Sequence, residues 1–129
     1  LGVHYEQMGR LVEARAAYEA ALDRARGVMD GTPTMGYIMT ALGRSRMMEG
    51  RYDEALGLLQ SALEIRRRQG DRFLLGETKF LLAKVLWRSK KDRQRARKLA
   101  AEAGEEFAAA GARGEVRRQD VDTWLEKPR

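Results

Sequence analysis

The stretch Gly50–Glu64, GRYDEALGLLQSALE, decides how this chain is read, because Gly9–Asp23, GRLVEARAAYEAALD, nearly repeats it at an offset of 41 residues. At that offset Leu1/Leu42, Gly2/Gly43, Gly9/Gly50, Arg10/Arg51, Glu13/Glu54, Ala14/Ala55, Ala21/Ala62, Leu22/Leu63, Arg26/Arg67 and Asp30/Asp71 are identical. The same step carries Ala55 to Ala96, Leu58 to Leu99 and Ala62 to Ala103, so a third, looser copy follows. Self-similarity at a fixed period of this size is the mark of stacked supersecondary units.

Inside each unit the apolar residues recur at three and four, as in Leu11, Ala14, Tyr18, Ala21 and Leu22, which draws one face of an amphipathic helix. A Gly-Arg pair, Gly9-Arg10 or Gly50-Arg51, divides two such helices, since glycine accepts the left-handed conformation at a helix end. Thr32 before Pro33, Asp71 and Asp92 read as N-caps, and Gly70 as a helix stop. The pattern predicts helices at about 1–8, 11–29, 33–49, 52–69, 72–89, 93–110 and 115–126. The expectation is an all-α stack of antiparallel hairpins in a single domain over 1–129. Repeat 1 is truncated over 1–30, repeat 2 covers 33–70, repeat 3 covers 72–111, and a capping helix lies at 114–127. Val116, Val121, Trp124 and Leu125 share a plausible face of that cap, with Trp124 packed.

The order Leu42-Gly43, Ala55, Leu59, Ala62, like Leu1-Gly2, Tyr5, Ala14, Tyr18, Ala21, resembles the tetratricopeptide repeat signature of small, aromatic and alanine positions. Units of that family usually run about 34 residues. The longer unit here is similar to the extended bacterial and kinesin-light-chain-like variety. The resemblance implies a right-handed superhelix in which Ala14, Ala55 and Ala96 are equivalent points of close helix contact. In the third unit Lys84 stands where Gly2 and Gly43 stand, and Trp87 where Tyr5 stands, so Lys84 must snorkel or that hairpin must pack differently. Leu81–Phe107 and 121–129 resemble the terminal repeats of large bacterial multidomain signalling proteins, particularly serine/threonine kinases with C-terminal arrays. No kinase signature lies in the chain.

The resemblance also implies a function: the first helix of each hairpin lines a concave groove that holds a peptide, a helix or a neighbouring domain. On it, Tyr37, Thr40, Arg44, Met47 and Met48 of the second unit and Leu81, Val85, Arg88 and Ser89 of the third face the groove. Met39 aligns with core. Arg44 and Arg88 favour a carboxylate-bearing ligand through forked hydrogen bonds, and Met47-Met48 offer an adaptable apolar contact. The expected partner is therefore a protein or peptide of acidic character. The chain has no Asn, and Thr40 and Ala41 occupy the places where extended members grip a ligand backbone, so that kind of clamp is not expected.

Composition excludes most chemistry. With 129 residues, 43% apolar and 34% charged, the chain makes a soluble domain with a modest core. His4 is its only histidine and it has no cysteine, so neither a metal site nor a catalytic dyad is expected. Glu105 and Glu106 are adjacent and point to different faces. No strand precedes a glycine-rich phosphate loop. The reading is a non-enzyme without cofactor. No apolar run approaches a membrane span, and a cytoplasmic location is the default. The chain begins at Leu1 without an initiator Met, which suggests part of a longer protein, and the truncated first repeat invites self-association.

Two alternatives remain beside the groove. The segment can serve oligomerisation or in-cis regulation of a larger bacterial signalling protein. Residues 79–98 carry nine basic residues and only Asp92 as an acid, within a net charge of +6, so nucleic-acid binding beside Trp87 is the other. Against it, several of those cations point outward simply because Ala96, Leu99 and Ala100 point in.

Overall fold

Every described turn falls where the local chemistry ends one helix and starts another. A computed structural model describes the backbone of residues 2–26 and 31–129, and the side chains of residues 10, 12–26 and 31–129. Among these described residues six helices follow in order: α1 (Gly2–Ala25), α2 (Pro33–Met48), α3 (Tyr52–Gln69), α4 (Arg72–Ser89), α5 (Arg93–Ala109) and α6 (Ala112–Glu126). No strand occurs among the described residues. Thr32 accepts the Met35 N–H at 3.3 Å ahead of Pro33. Asp71 accepts the Leu74 N–H at 3.0 Å and Asp92 the Arg95 N–H at 2.9 Å, each satisfying a donor that the first helical turn leaves free. Gly50 and Gly70 take φ of +77° and +74°, the left-handed geometry that lets the chain reverse after α2 and α3. Lys90 closes α4 in the same region, at φ +60°, without glycine's freedom.

The helices pack in chain order. α2 pairs with α3, α4 with α5 and α5 with α6, while α3 joins α4 and α1 joins α2. Lighter contacts join α2 to α4 and α4 to α6, so the first helices of successive hairpins lie side by side. Near neighbours only are in touch, as in a helical repeat solenoid. The 41-residue offset survives in the packing: Ala55, Leu59, Ala62, Ala96 and Ala103 are all fully buried. Two apolar clusters result. One joins α2–α6 around Leu59, Leu82, Val85 and Phe107. The other joins α1–α3 through Leu22, Met35, Ile38, Leu42 and Ile65.

The first unit departs from expectation. A single helix runs from Gly2 to Ala25 through Gly9-Arg10, where a turn was expected between helices at 1–8 and 11–29. Ala14 is consequently exposed while Ala55 and Ala96 are buried, so the three alanines are not equivalent. The local sequence explains why. After Gly50 the second helix opens with Asp53 and Glu54, whose charges suit a helix N-terminus, whereas α1 keeps only the second of these, Glu13, and has Val12 where Asp53 stands. An eight-residue helix also buries too little to offset the cost of breaking a continuous backbone ladder. The expected stretch 27–29 lies outside the described residues. Val116 is a smaller correction: it is 67% exposed, so only Val121, Trp124 and Leu125 of the expected cap face pack inward.

Candidate functional site: a basic groove along the first helices

Because α2, α4 and α6 lie side by side, their outward faces form one concave surface holding a cavity of about 640 Å³. Its floor is apolar, built from Phe80, Leu81, Phe107 and Trp124. Its walls carry Arg44 from α2, Lys84 and Arg88 from α4, and Arg117 from α6. Lys127 and Arg129, in the short segment after α6, complete the rim. Among the described residues, Glu77, Asp120 and Glu126 are the only carboxylate side chains there.

The floor is rigid because its aromatics lock edge to face. Trp124, 6% exposed, stands 5.9 Å from Phe80 and 5.9 Å from Trp87, both near perpendicular. Lys84 lays its ammonium 4.2 Å from the Phe80 ring centroid, so the side chain at the glycine position does snorkel, toward the groove. Burial lowers its pKa from the ordinary lysine value, Arg88, Arg44 and Arg117 push the same way, and Asp120 alone among its influences opposes them. The carboxylates neutralise the walls only loosely, Glu77 standing 3.8 Å from Arg44 and Asp120 3.7 Å from Arg117. One main-chain oxygen already lies against the groove: Arg129 O accepts from Trp124 Nε1 at 3.1 Å and from Arg88 Nε at 3.3 Å.

The residues expected in the groove divide. Arg44, Leu81 and Arg88 line the cavity. Tyr37 is exposed but lies beyond it, its hydroxyl 3.2 Å from that of Tyr18. That hydrogen bond holds the Tyr18 phenol above its ordinary pKa. Met48 is exposed outside the lining, and Ser89 donates to Leu86 O at 3.2 Å. Three placements are corrected. Thr40 is 3% exposed and donates to Gly36 O at 2.8 Å, while Met47 and Val85 belong to the core cluster. Adjacent helical residues diverge by about 100°, so Met47 and Met48 cannot share a face.

Sequence reasoning missed Phe80, Lys84, Arg117 and Trp124. Lys84 had a signal, its intrusion at a glycine position. Trp124 and Arg117 had one only if α6 is read as the first helix of a next unit, which is where its contact with α4 puts it.

A family model described as Tetratricopeptide repeat matches residues 1–68 and, in an overlapping match, residues 34–103. The chain belongs to the tetratricopeptide repeat family. No curated protein and no solved structure matches it. Tetratricopeptide repeats generally mediate protein–protein contacts, and the two matches take in α1 through most of α5, the elements that carry the alanine offset. The third wall of the groove, α6, lies beyond both matches and is assigned by packing alone.

Elsewhere on this tetratricopeptide domain several basic side chains already have partners. Lys79 lies 3.5 Å from Glu106, and Lys91 is bonded to Asp53. Arg93 and Arg97 stand over the Trp87 ring at 4.4 and 5.2 Å, covering a face that a nucleic-acid base would need. Among the described residues no group of His, Cys, Asp or Glu could hold a metal ion, and no helix is long and apolar enough to cross a membrane.

Proposed function

We propose that the groove captures an acidic peptide segment of a partner protein, without catalysis. The observation that carries this reading is the charge of the walls: Arg44, Lys84, Arg88 and Arg117 surround an apolar floor with few carboxylates to answer them. A segment alternating acidic and apolar side chains fits both layers, the carboxylates on the forked guanidinium groups and the apolar side chains on Leu81 and the aromatics. Each charge-assisted hydrogen bond formed there is worth about 1.5–3 kcal/mol. The resemblance of Leu81–Phe107 to kinase-linked arrays supports a place as the binding arm of a larger bacterial signalling protein.

Titration with a peptide of alternating glutamate and leucine tests it. Arg44→Glu or Lys84→Glu should weaken binding by at least about tenfold, near 1.4 kcal/mol, with the circular dichroism spectrum intact. Binding should also fall steeply with salt. Affinity indifferent to both reversals would remove the groove from the proposal.

The uncovered face of α1 favours a second reading, self-association. Val12 is 52% exposed and Ala14 is exposed, whereas Ala55, its counterpart at the 41-residue offset, is fully buried. A second copy would cover that face. Sedimentation should then show mass rising with concentration, and Ala14→Glu should abolish the rise.

A further inference from the structure

Lys84 and Arg88 lie one turn apart on α4, and both line the groove. Each of the other two cations on the helical walls has a carboxylate beside it, Arg44 with Glu77 at 3.8 Å and Arg117 with Asp120 at 3.7 Å. Among the described residues no carboxylate side chain, Glu126 of the lining included, forms an ion pair with Lys84 or Arg88. Like charges four residues apart on a helix repel, and an apolar floor strengthens the repulsion. Burial first and Arg88 next hold the Lys84 pKa below the ordinary lysine value. We propose that Lys84 and Arg88 form a subsite for a phosphate monoester, the phosphorylated serine of an otherwise acidic partner peptide. The proposal rests on the groove reading above and adds to it the chemical class of the ligand.

Charge and donor geometry select a dianion over a carboxylate at this point. A carboxylate brings a single negative charge and leaves one of the two cations unanswered, whereas a phosphate monoester carries about −1.5 to −2 at pH 7 on three acceptor oxygens. The two donors complement each other. Lys84 is half-buried, its ammonium 4.2 Å from the Phe80 ring centroid, and offers a point charge near the floor. Arg88 is exposed and can turn its fork onto two phosphate oxygens, leaving the Arg129 oxygen that it meets at 3.3 Å. Arg44 and Arg117, on α2 and α6 to either side, remain for flanking carboxylates of the same peptide. Glu77 and Asp120, beside those two arginines, repel a dianion there and so favour its place at Lys84 and Arg88.

The test titrates the full chain with three forms of one peptide, alternating glutamate and leucine around a central pair of serines. In the second form the first serine is phosphorylated, and in the third both serines are glutamates, which brings a similar net charge without a dianion. The phosphorylated form should bind about tenfold or more tightly than the first and about fivefold more tightly than the third. That advantage should grow between about pH 5 and pH 7, as the monoester loses its second proton near pH 6. Lys84→Gln should cancel most of it, and Arg88→Gln, at the exposed end of the pair, gives the same comparison should the first variant fold poorly. Arg67→Glu, on α3 and outside the lining, should leave it unchanged. Equal affinity of the phosphorylated and glutamate forms, or an advantage that survives both Gln substitutions, overturns the phosphate subsite and leaves the groove reading standing. No binding by any of the three peptides sinks the groove reading and the subsite together.

Discussion

Gly43 lies so close to Leu59 that a Cβ at that position would stand 2.6 Å from Leu59 Cγ and 2.7 Å from Cδ2. This is the contact that joins α2 to α3, and Leu59 has no solvent-facing space into which to withdraw, being fully buried. Gly43→Ala gains about 1 kcal/mol of helix propensity but must displace a core side chain, at about 1–3 kcal/mol. The net expectation is a loss of up to about 2 kcal/mol, read from urea denaturation. Gly57, within α3, is the counter-case: nothing lies within 4 Å of its added Cβ, so Gly57→Ala should stabilise by about 0.5–1 kcal/mol.

Arg66 carries a charge where its repeat equivalents do not. It is 3% exposed, its Nε and Nη2 have no hydrogen-bond partner, and the corresponding residues are Phe107 in the next unit and Ala25 in the one before. Burial pushes its pKa down, with Glu77 and Asp71 opposing from a distance. An unpaired buried guanidinium is a net cost, so Arg66→Met should raise stability by about 1–2 kcal/mol and lift the thermal midpoint by several degrees.

Lys84 should set stability against binding. Burial depresses its folded-state pKa below the ordinary 10.5, so between that lowered value and 10.5 the unfolded chain holds more protons than the folded one. The stability of the native sequence should therefore rise with pH across that window, and the cost is fully present below the lowered value. Lys84→Met should remove this rise, raise the midpoint at pH 7, and weaken binding of the acidic peptide. Denaturation curves at neutral and alkaline pH check the first two, and titration checks the third.

Lys90 ends α4 in a conformation suited to glycine. With φ +60° and ψ 20° its Cβ crowds the adjoining peptide, and Lys90→Gly should relieve about 1 kcal/mol. Because the residue is exposed and remote from the groove, peptide affinity should not change.

What the sequence disclosed follows from which forces are local. Caps at Thr32, Asp71 and Asp92 need only the next three residues, and the alanine offset needs only a period, so both could be read directly. The turn at Gly9-Arg10 could not, because a reversal forms only when the returning helix has something to cover. In the site, Arg44 and Arg88 were expected from the family resemblance, and both line the cavity. Thr40, Met47 and Val85 were misplaced by about one residue of rotation, enough to turn a side chain from groove to core. Trp124 was correctly legible as packed, but nothing in its neighbours tells that its N–H faces the groove.

The helices are locked by methyls and bare Cα atoms at Gly43 on α2, Ala55 on α3, and Ala96 and Ala103 on α5, while the cations of the groove stand at other positions, on α2, α4 and α6. Lys84 apart, which stands at the glycine position, architecture and recognition thus draw on separate sets of codons. Such a scaffold can be re-addressed to new targets by rewriting a handful of charged positions, with little risk to its assembly, and its descendants would diverge in ligand long before they diverged in shape.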